Sequence, residues 1–181
     1  LTETIDAVKS MKVRGAPAIG IAASYAAYFA VQECNGNHNK LDELINLLIS
    51  ARPTAVNLKN GAMYVVNELN QSDDFSTAED VALNKATAVK TALDKANEFA
   101  ENEVRNCEQI GINGIEIIKK LYIEKNRVIN ILTHCNAGWL ACGDWGTATA
   151  PIYKAHRLGI PLQVWIDETR PLNQGSRLTS W

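Results

Sequence analysis

Two short apolar runs set the strongest limit on how this chain folds. Val128 to Leu132 and Leu162 to Ile166 are rich in β-branched and large apolar residues, the pattern of strands buried on both faces. Between them Gly138 and Gly143 punctuate the chain, and Gly146 to Arg157 reads as a helix closed by Gly159 and Pro161. Strand, helix and strand make one βαβ unit, whose crossover is right-handed. Two parallel strands do not form a stable sheet alone, because such strands need neighbours and cover on both faces. The expectation is therefore that further strands come from residues outside this chain, or from a separate polypeptide carrying the second half of the same protein.

The preceding residues follow a different grammar. Ile5, Val8 and Met11 fall on one face of a helix capped at or near Thr2. After the turn Arg14-Gly15-Ala16-Pro17, the alanine-rich stretch Ala18 to Gln32 is apolar nearly all round, as a buried helix would be. Asn35 to Asn39 reads as a polar loop, and Leu41, Leu44, Ile45, Leu47 and Leu48 form an amphipathic stripe. Arg52-Pro53-Thr54 breaks that helix, since a residue before proline disfavours the α region. Another helix runs through Leu58, Met63, Val66 and Leu69, with a loop at Ser72 to Ser76 and a helix start at Thr77 to Asp80. A long polar helix is expected to about Asn106, and a separate one over Ile112 to Lys120. The fold class is thus α/β, with a helical domain over 1–125 and an α/β segment over 126–181.

Composition narrows the function. Of 181 residues, 46% are hydrophobic and 21% charged, so the chain is globular rather than disordered. Its net charge of −2 offers no basic field for nucleic acid. The apolar run from Ile19 to Val31 is interrupted by Ser24 and two tyrosines and is too short to span a bilayer, so no membrane partner is expected. The four cysteines, Cys34, Cys107, Cys135 and Cys142, show no C-x-x-C pair and read as reduced thiols of an intracellular protein. The sequence starts at Leu1 and stops at Trp181 in what reads as the beginning of a helix, so it reads as a piece of a longer protein.

In open α/β sheets ligands gather at the carboxyl ends of the strands. Thr133-His134-Cys135-Asn136-Ala137-Gly138 succeeds the first strand, and Asp167 to Arg177 succeeds the second. Cys135 lies on such a tip, beside a glycine-bearing turn whose amide groups would favour a thiolate or hold an anion. A buried cysteine acting as a small hydrophobe is the competing reading. His134 is placed to be a general base, but strand alternation sends it to the face opposite Cys135, so it reads as structural. Cys135, Cys142 and His156 match no usual zinc spacing. Within Asp167 to Pro171, a Glu168–Arg170 pair would hold the loop and leave the Gln174 amide for a ligand. Arg14 before Gly15-Ala16-Pro17, and Arg52 before Pro53, each suit a phosphate cradle at a helix N-terminus, against the plainer reading of solvated surface charges.

Val13-Arg14-Gly15-Ala16-Pro17-Ala18-Ile19-Gly20, Arg52-Pro53-Thr54-Ala55-Val56-Asn57-Leu58, Thr133 to Gly138, Asp167 to Gly175 and Arg177-Leu178-Thr179 occur in that order. In this the chain closely resembles, over its whole length, the methylthioribose-1-phosphate isomerases. Their superfamily also holds the regulatory subunits of translation initiation factor 2B and ribose-1,5-bisphosphate isomerase. The resemblance implies a Rossmann-like catalytic domain beginning near residue 126. It makes Cys135 the active-site cysteine, and Arg14, Gly15, Ala16, Arg52 and Gln174 substrate contacts. A catalytic aspartate and an Asn-Lys pair are implied downstream of Trp181, so neither Asp144 nor Asp167 is assigned that role.

The implied reaction converts 5-methylthioribose 1-phosphate to 5-methylthioribulose 1-phosphate in methionine salvage. Phosphate on the anomeric oxygen blocks ordinary ring opening, so the enzyme must assist it and then move hydrogen from C2 to C1. Neither a proton nor a hydride route requires a metal or organic cofactor. A cytoplasmic homodimer is implied, with a nuclear location as the alternative in a eukaryote. Two other readings stay open: a non-catalytic regulatory subunit of the initiation factor 2B type, and ribose-1,5-bisphosphate isomerase. Arg14, Arg52, Cys135 and Gln174 together favour an enzyme over the first. The Pro17-Ala18 pair and the Arg52 to Leu58 run favour methylthioribose 1-phosphate over the second.

Overall fold

The computed structural model describes residues 1–71, 81–168, 170 and 172–180, the side chains of 71 and 81–84 excepted. Helices α1 (Thr2–Lys9), α2 (Ala16–Cys34), α3 (His38–Ile49), α4 (Val56–Gln71) and α5 (Val81–Lys125) come first. Strand β1 (Ile129–His134), helix α6 (Ala150–Arg157) and strand β2 (Leu162–Asp167) come next, then a π-helical turn at Gly175–Thr179. The loop and helix start read at 72–80 lie outside the described residues. The chain forms two compact units, Leu1–Asn102 and Glu103–Trp181, with the division inside α5.

In the first unit the small residues of α2 decide the packing. Gly20, Ala23, Ala26, Ala27 and Ala30 are all buried, which lets another backbone come close. At Gly61 of α4 an added Cβ would overlap the Gly20 carbonyl, so the two helices touch backbone to backbone there. Ala88, Ala92 and Ala96, one stripe at a spacing of four, bring the start of α5 into the same core with Leu48, Leu58 and Val65. Asn37 begins α3 by accepting the Lys40 N–H at 3.1 Å, so the helix starts inside the stretch read as a polar loop.

α5 is continuous where the sequence suggests two helices. Gly111 and Gly114 look like breaks in the sequence but are contact points: a Cβ at Gly111 would press on Lys154, and one at Gly114 on Pro151. Burial against α6 outweighs the weak helix propensity of glycine. Ile115, Ile118, Ala155 and Ile160 form the small core of the second unit.

β1 and β2 pair in parallel, in register from Ile129↔Leu162 to His134↔Asp167. The expectation of strands buried on both faces is not met in this two-stranded sheet. Ile129, Ile131 and Thr133 point inward, whereas the register partners Leu132 and Trp165 are 67% and 57% exposed. The Trp165 indole donates to Asn130 at 2.9 Å across that open face. α6 starts at Ala150 rather than near Gly146, because Gly143 and Gly146 have φ of 80° and 78°, outside the helical region. A short 3₁₀ turn, Trp139–Ala141, occupies the loop before it. Among the described residues no helix is long and apolar enough to cross a membrane.

Candidate functional site

Cys135 is the first residue beyond β1, and its backbone is fixed from two sides. Its N–H donates to the Asp167 carbonyl at 2.9 Å, extending the ladder by one rung. Its own carbonyl accepts the Thr179 hydroxyl at 2.6 Å. At φ 56° it is left-handed, costly for a residue with a Cβ. The side chain is half-buried. Since Cys135 has left the strand, simple alternation no longer relates it to His134. That histidine is exposed, with Nδ1 4.0 Å from Asp167 Oδ2, and both side chains face water.

The loop after Cys135 is held by short-range hydrogen bonds. Asn136 Oδ1 accepts the Gly138 N–H at 2.9 Å, closing a side-chain turn. The Ala137 carbonyl accepts the Thr147 N–H at 2.8 Å and the Thr149 hydroxyl at 3.2 Å. A Cβ at Gly146 would collide with the Thr149 hydroxyl and lie 2.5 Å from the Ala137 carbonyl, so that turn admits only glycine. Cys135 therefore leads into a cross-tied loop and a 3₁₀ turn, not into the N-terminus of a long helix.

Gln174 arrives at the same end of the sheet by a different route. The two carboxylate oxygens of Glu168 accept the N–H groups of Gly175 at 3.0 Å and Ser176 at 2.8 Å. Gly175 is buried so tightly that a Cβ there would lie 2.6 Å from the Asp167 carbonyl, the group that receives the Cys135 N–H. Cys135 and Gln174 are thus carried to one place by separate loops sharing Asp167 as their anchor.

Arg14, Gly15, Ala16 and Arg52 belong to the first unit. Gly15, at φ 90°, is the N-cap of α2, and no side chain caps that end. Pro17 stands in the first turn, where its missing N–H costs nothing. Arg52 lies in the turn between α3 and α4, its carbonyl accepting the Ala55 N–H at 2.9 Å. Both arginines are half-buried. A Cβ at Gly20 would lie 3.3 Å from the Asn57 carbonyl, so the first turns of α2 and α4 meet, and the loops bearing Arg14 and Arg52 enter at that same end.

Thr179 and Thr149 also hold the loops of the candidate site, and sequence reasoning gives neither a role there. Thr179 lies 44 residues from its partner, a separation without local signal. Thr133 Oγ1 is buried with no hydrogen-bond partner among the described atoms. Among the described residues no three His, Cys, Asp or Glu side chains are grouped as a metal site would need.

A family model described as the initiation factor 2 subunit family matches residues 12–181. A methylthioribose-1-phosphate isomerase of Desulfatibacillum aliphaticivorans is 47% identical over 99% of this chain and 47% of its own length. One from Escherichia coli O45:K1 is 46% identical over 93% of this chain and 43% of its own. Among solved structures, the 5-methylthioribose 1-phosphate isomerase of Pyrococcus horikoshii OT3 superposes with a TM-score of 0.72 at 30% identity, over 99% of this chain and 47% of that one. The delta subunit of translation initiation factor eIF-2B from A. fulgidus superposes with 0.69 at 36% identity, over 99% and 49%. The chain spans about half the length of the curated relatives it matches.

Proposed function

Because the chain belongs to the initiation factor 2 subunit family, we propose that its protein is the isomerase that converts 5-methylthioribose 1-phosphate to 5-methylthioribulose 1-phosphate. The observation that carries this is Cys135: a half-buried thiol at the carboxyl end of a parallel strand, held left-handed by Asp167 and Thr179. The names of the similar bacterial and archaeal proteins support the substrate.

In this reading Arg14, Arg52 and the amide groups of Gly15 and Ala16 take the phosphate, where fixed donors need no reorganisation as charge develops. Gln174 contacts the sugar, and Cys135 stabilises or relays the migrating hydrogen between C2 and C1. The general acid that assists ring opening is an aspartate downstream of Trp181. Residues 1–125 form the helical domain and 126–181 open the Rossmann-like catalytic domain. The working protein is a cytoplasmic homodimer that needs no cofactor. The A. fulgidus initiation-factor subunit superposes almost as well, which favours a non-catalytic regulatory subunit as the second reading; Arg14, Arg52, Cys135 and Gln174 standing together argue for the enzyme.

The test is Cys135→Ser in the full-length protein, a nearly isosteric change. Turnover is expected to fall at least ~100-fold, the usual scale for losing a positioned proton-transfer group, with the unfolding transition in place. An unchanged kcat removes Cys135 from the chemistry. Absence of isomerase activity in the unaltered protein would favour the regulatory reading.

A further inference from the structure

A further thiol lies on the loop that begins with Cys135, and another faces it from α5. Cys107, on α5, and Cys142, just after the 3₁₀ turn, are 2% and 1% exposed and form a closed cluster with Ala141. Trp145 packs against that cluster, with Lys154 Nζ 4.0 Å and Arg157 Cζ 4.6 Å from its ring centre. The two thiols share this one sealed cluster. No other pairing of the four cysteines is seen among the described residues, and none forms a disulfide. We propose that Cys107 and Cys142 are a reversible disulfide pair that, when oxidised by a peroxide, staples the Cys135 loop to α5.

Thiols lodged in one small cluster need only local motion to reach the sulfur–sulfur bond length of about 2 Å. The two are not equivalent. Burial pushes Cys107 up to about 12, reinforced by Cys142 beside it. Burial raises Cys142 as well. Cys142 lies on the loop after the 3₁₀ turn and Cys107 inside α5, so in this proposal Cys142 is the attacking sulfur. Its thiolate attacks one peroxide oxygen, the O–O bond breaks, and water leaves as Cys142 becomes a sulfenic acid. Cys107 then gives up its proton and attacks that sulfur, the S–S bond forms, and a second water departs. Two thiols and one peroxide yield one disulfide and two waters. Because the segment from Cys135 to Cys142 is short, the bond restrains the loop that ends at the site.

The cysteine chemistry does not depend on the isomerase reading, so the experiment reads the bond itself. The full-length protein is reduced, treated with hydrogen peroxide, unfolded in iodoacetamide and digested without reductant. The expected product is a Cys107–Cys142 linked peptide, two hydrogens lighter than its parts and split by dithiothreitol. In Cys107→Ser the link is absent and dimedone captures Cys142 as its sulfenic acid. Recovery of Cys107 and Cys142 both alkylated overturns the proposal, and so does a link from either one to Cys135. Wild-type mapping alone decides the point should the variant fail to fold.

Discussion

Replacing Gly61 with alanine tests the helix crossing that sets the two arginine loops, and its sign is the informative part. In an exposed helix Gly→Ala is worth roughly 1 kcal/mol of added stability. Here the new methyl would overlap the Gly20 carbonyl, lying 2.8 Å from its carbon and 3.1 Å from its Cα. That carbonyl belongs to the hydrogen-bond ladder of α2 and cannot swing aside, so the helices must part by about 1 Å. A gap of that size forfeits about a quarter to a half of each dispersion contact along the crossing. Overpacking of this kind costs about 3 kcal/mol, leaving a net loss of about 2 kcal/mol after the propensity gain. With an m-value of about 2 kcal/mol per molar in urea, the midpoint should fall by about 1 M. Urea titration followed by far-ultraviolet circular dichroism measures it. A variant as stable as the parent, or more so, would refute backbone contact between α2 and α4, and with it the argument that the Arg14 and Arg52 loops enter at one end.

Arg14→Ala should raise KM for the sugar phosphate about tenfold or more, the scale of one charge-assisted hydrogen bond, with a smaller change in kcat; steady-state kinetics with an unaltered KM would count against the cradle. Glu168→Gln weakens the carboxylate's hold on the Gly175 and Ser176 amides and should loosen Gln174, raising KM by about fivefold, or roughly 1 kcal/mol; unchanged hydrogen exchange at Gly175 and Ser176 would show that the loop does not need it. Cys107, raised by burial from its ordinary 9.0 to about 12, keeps its thiol protonated in the fold longer than in the unfolded chain. Its contribution to stability is complete below pH 9 and is lost as pH climbs toward 12, so chemical denaturation over that range should show a steeper decline for the parent than for Cys107→Ser.

The sequence exposes the parallel pair because strand-forming runs carry their own signal and Gly159-Ile160-Pro161 ends the helix between them. It also leads to Cys135 and Gln174, since the rule about strand ends concerns topology and needs no side-chain detail. It misleads wherever packing overrides a local preference. Gly111 and Gly114 suggest a break between helices, yet Lys154 and Pro151, some forty residues on, explain why they are glycines inside α5. The pattern puts the start of α6 too early because positive φ at Gly143 and Gly146 has no signature beyond glycine itself. The restraints on Cys135 come from Asp167 and Thr179, and contacts of that span leave no periodicity to read.

The left-handed backbone at Cys135 has an evolutionary corollary. Glycine would relax that torsion by about 1–2 kcal/mol, so heat tolerance alone would steadily discard the sulfur. Laboratory selection for thermal endurance, run without demanding turnover, should therefore replace this one side chain early.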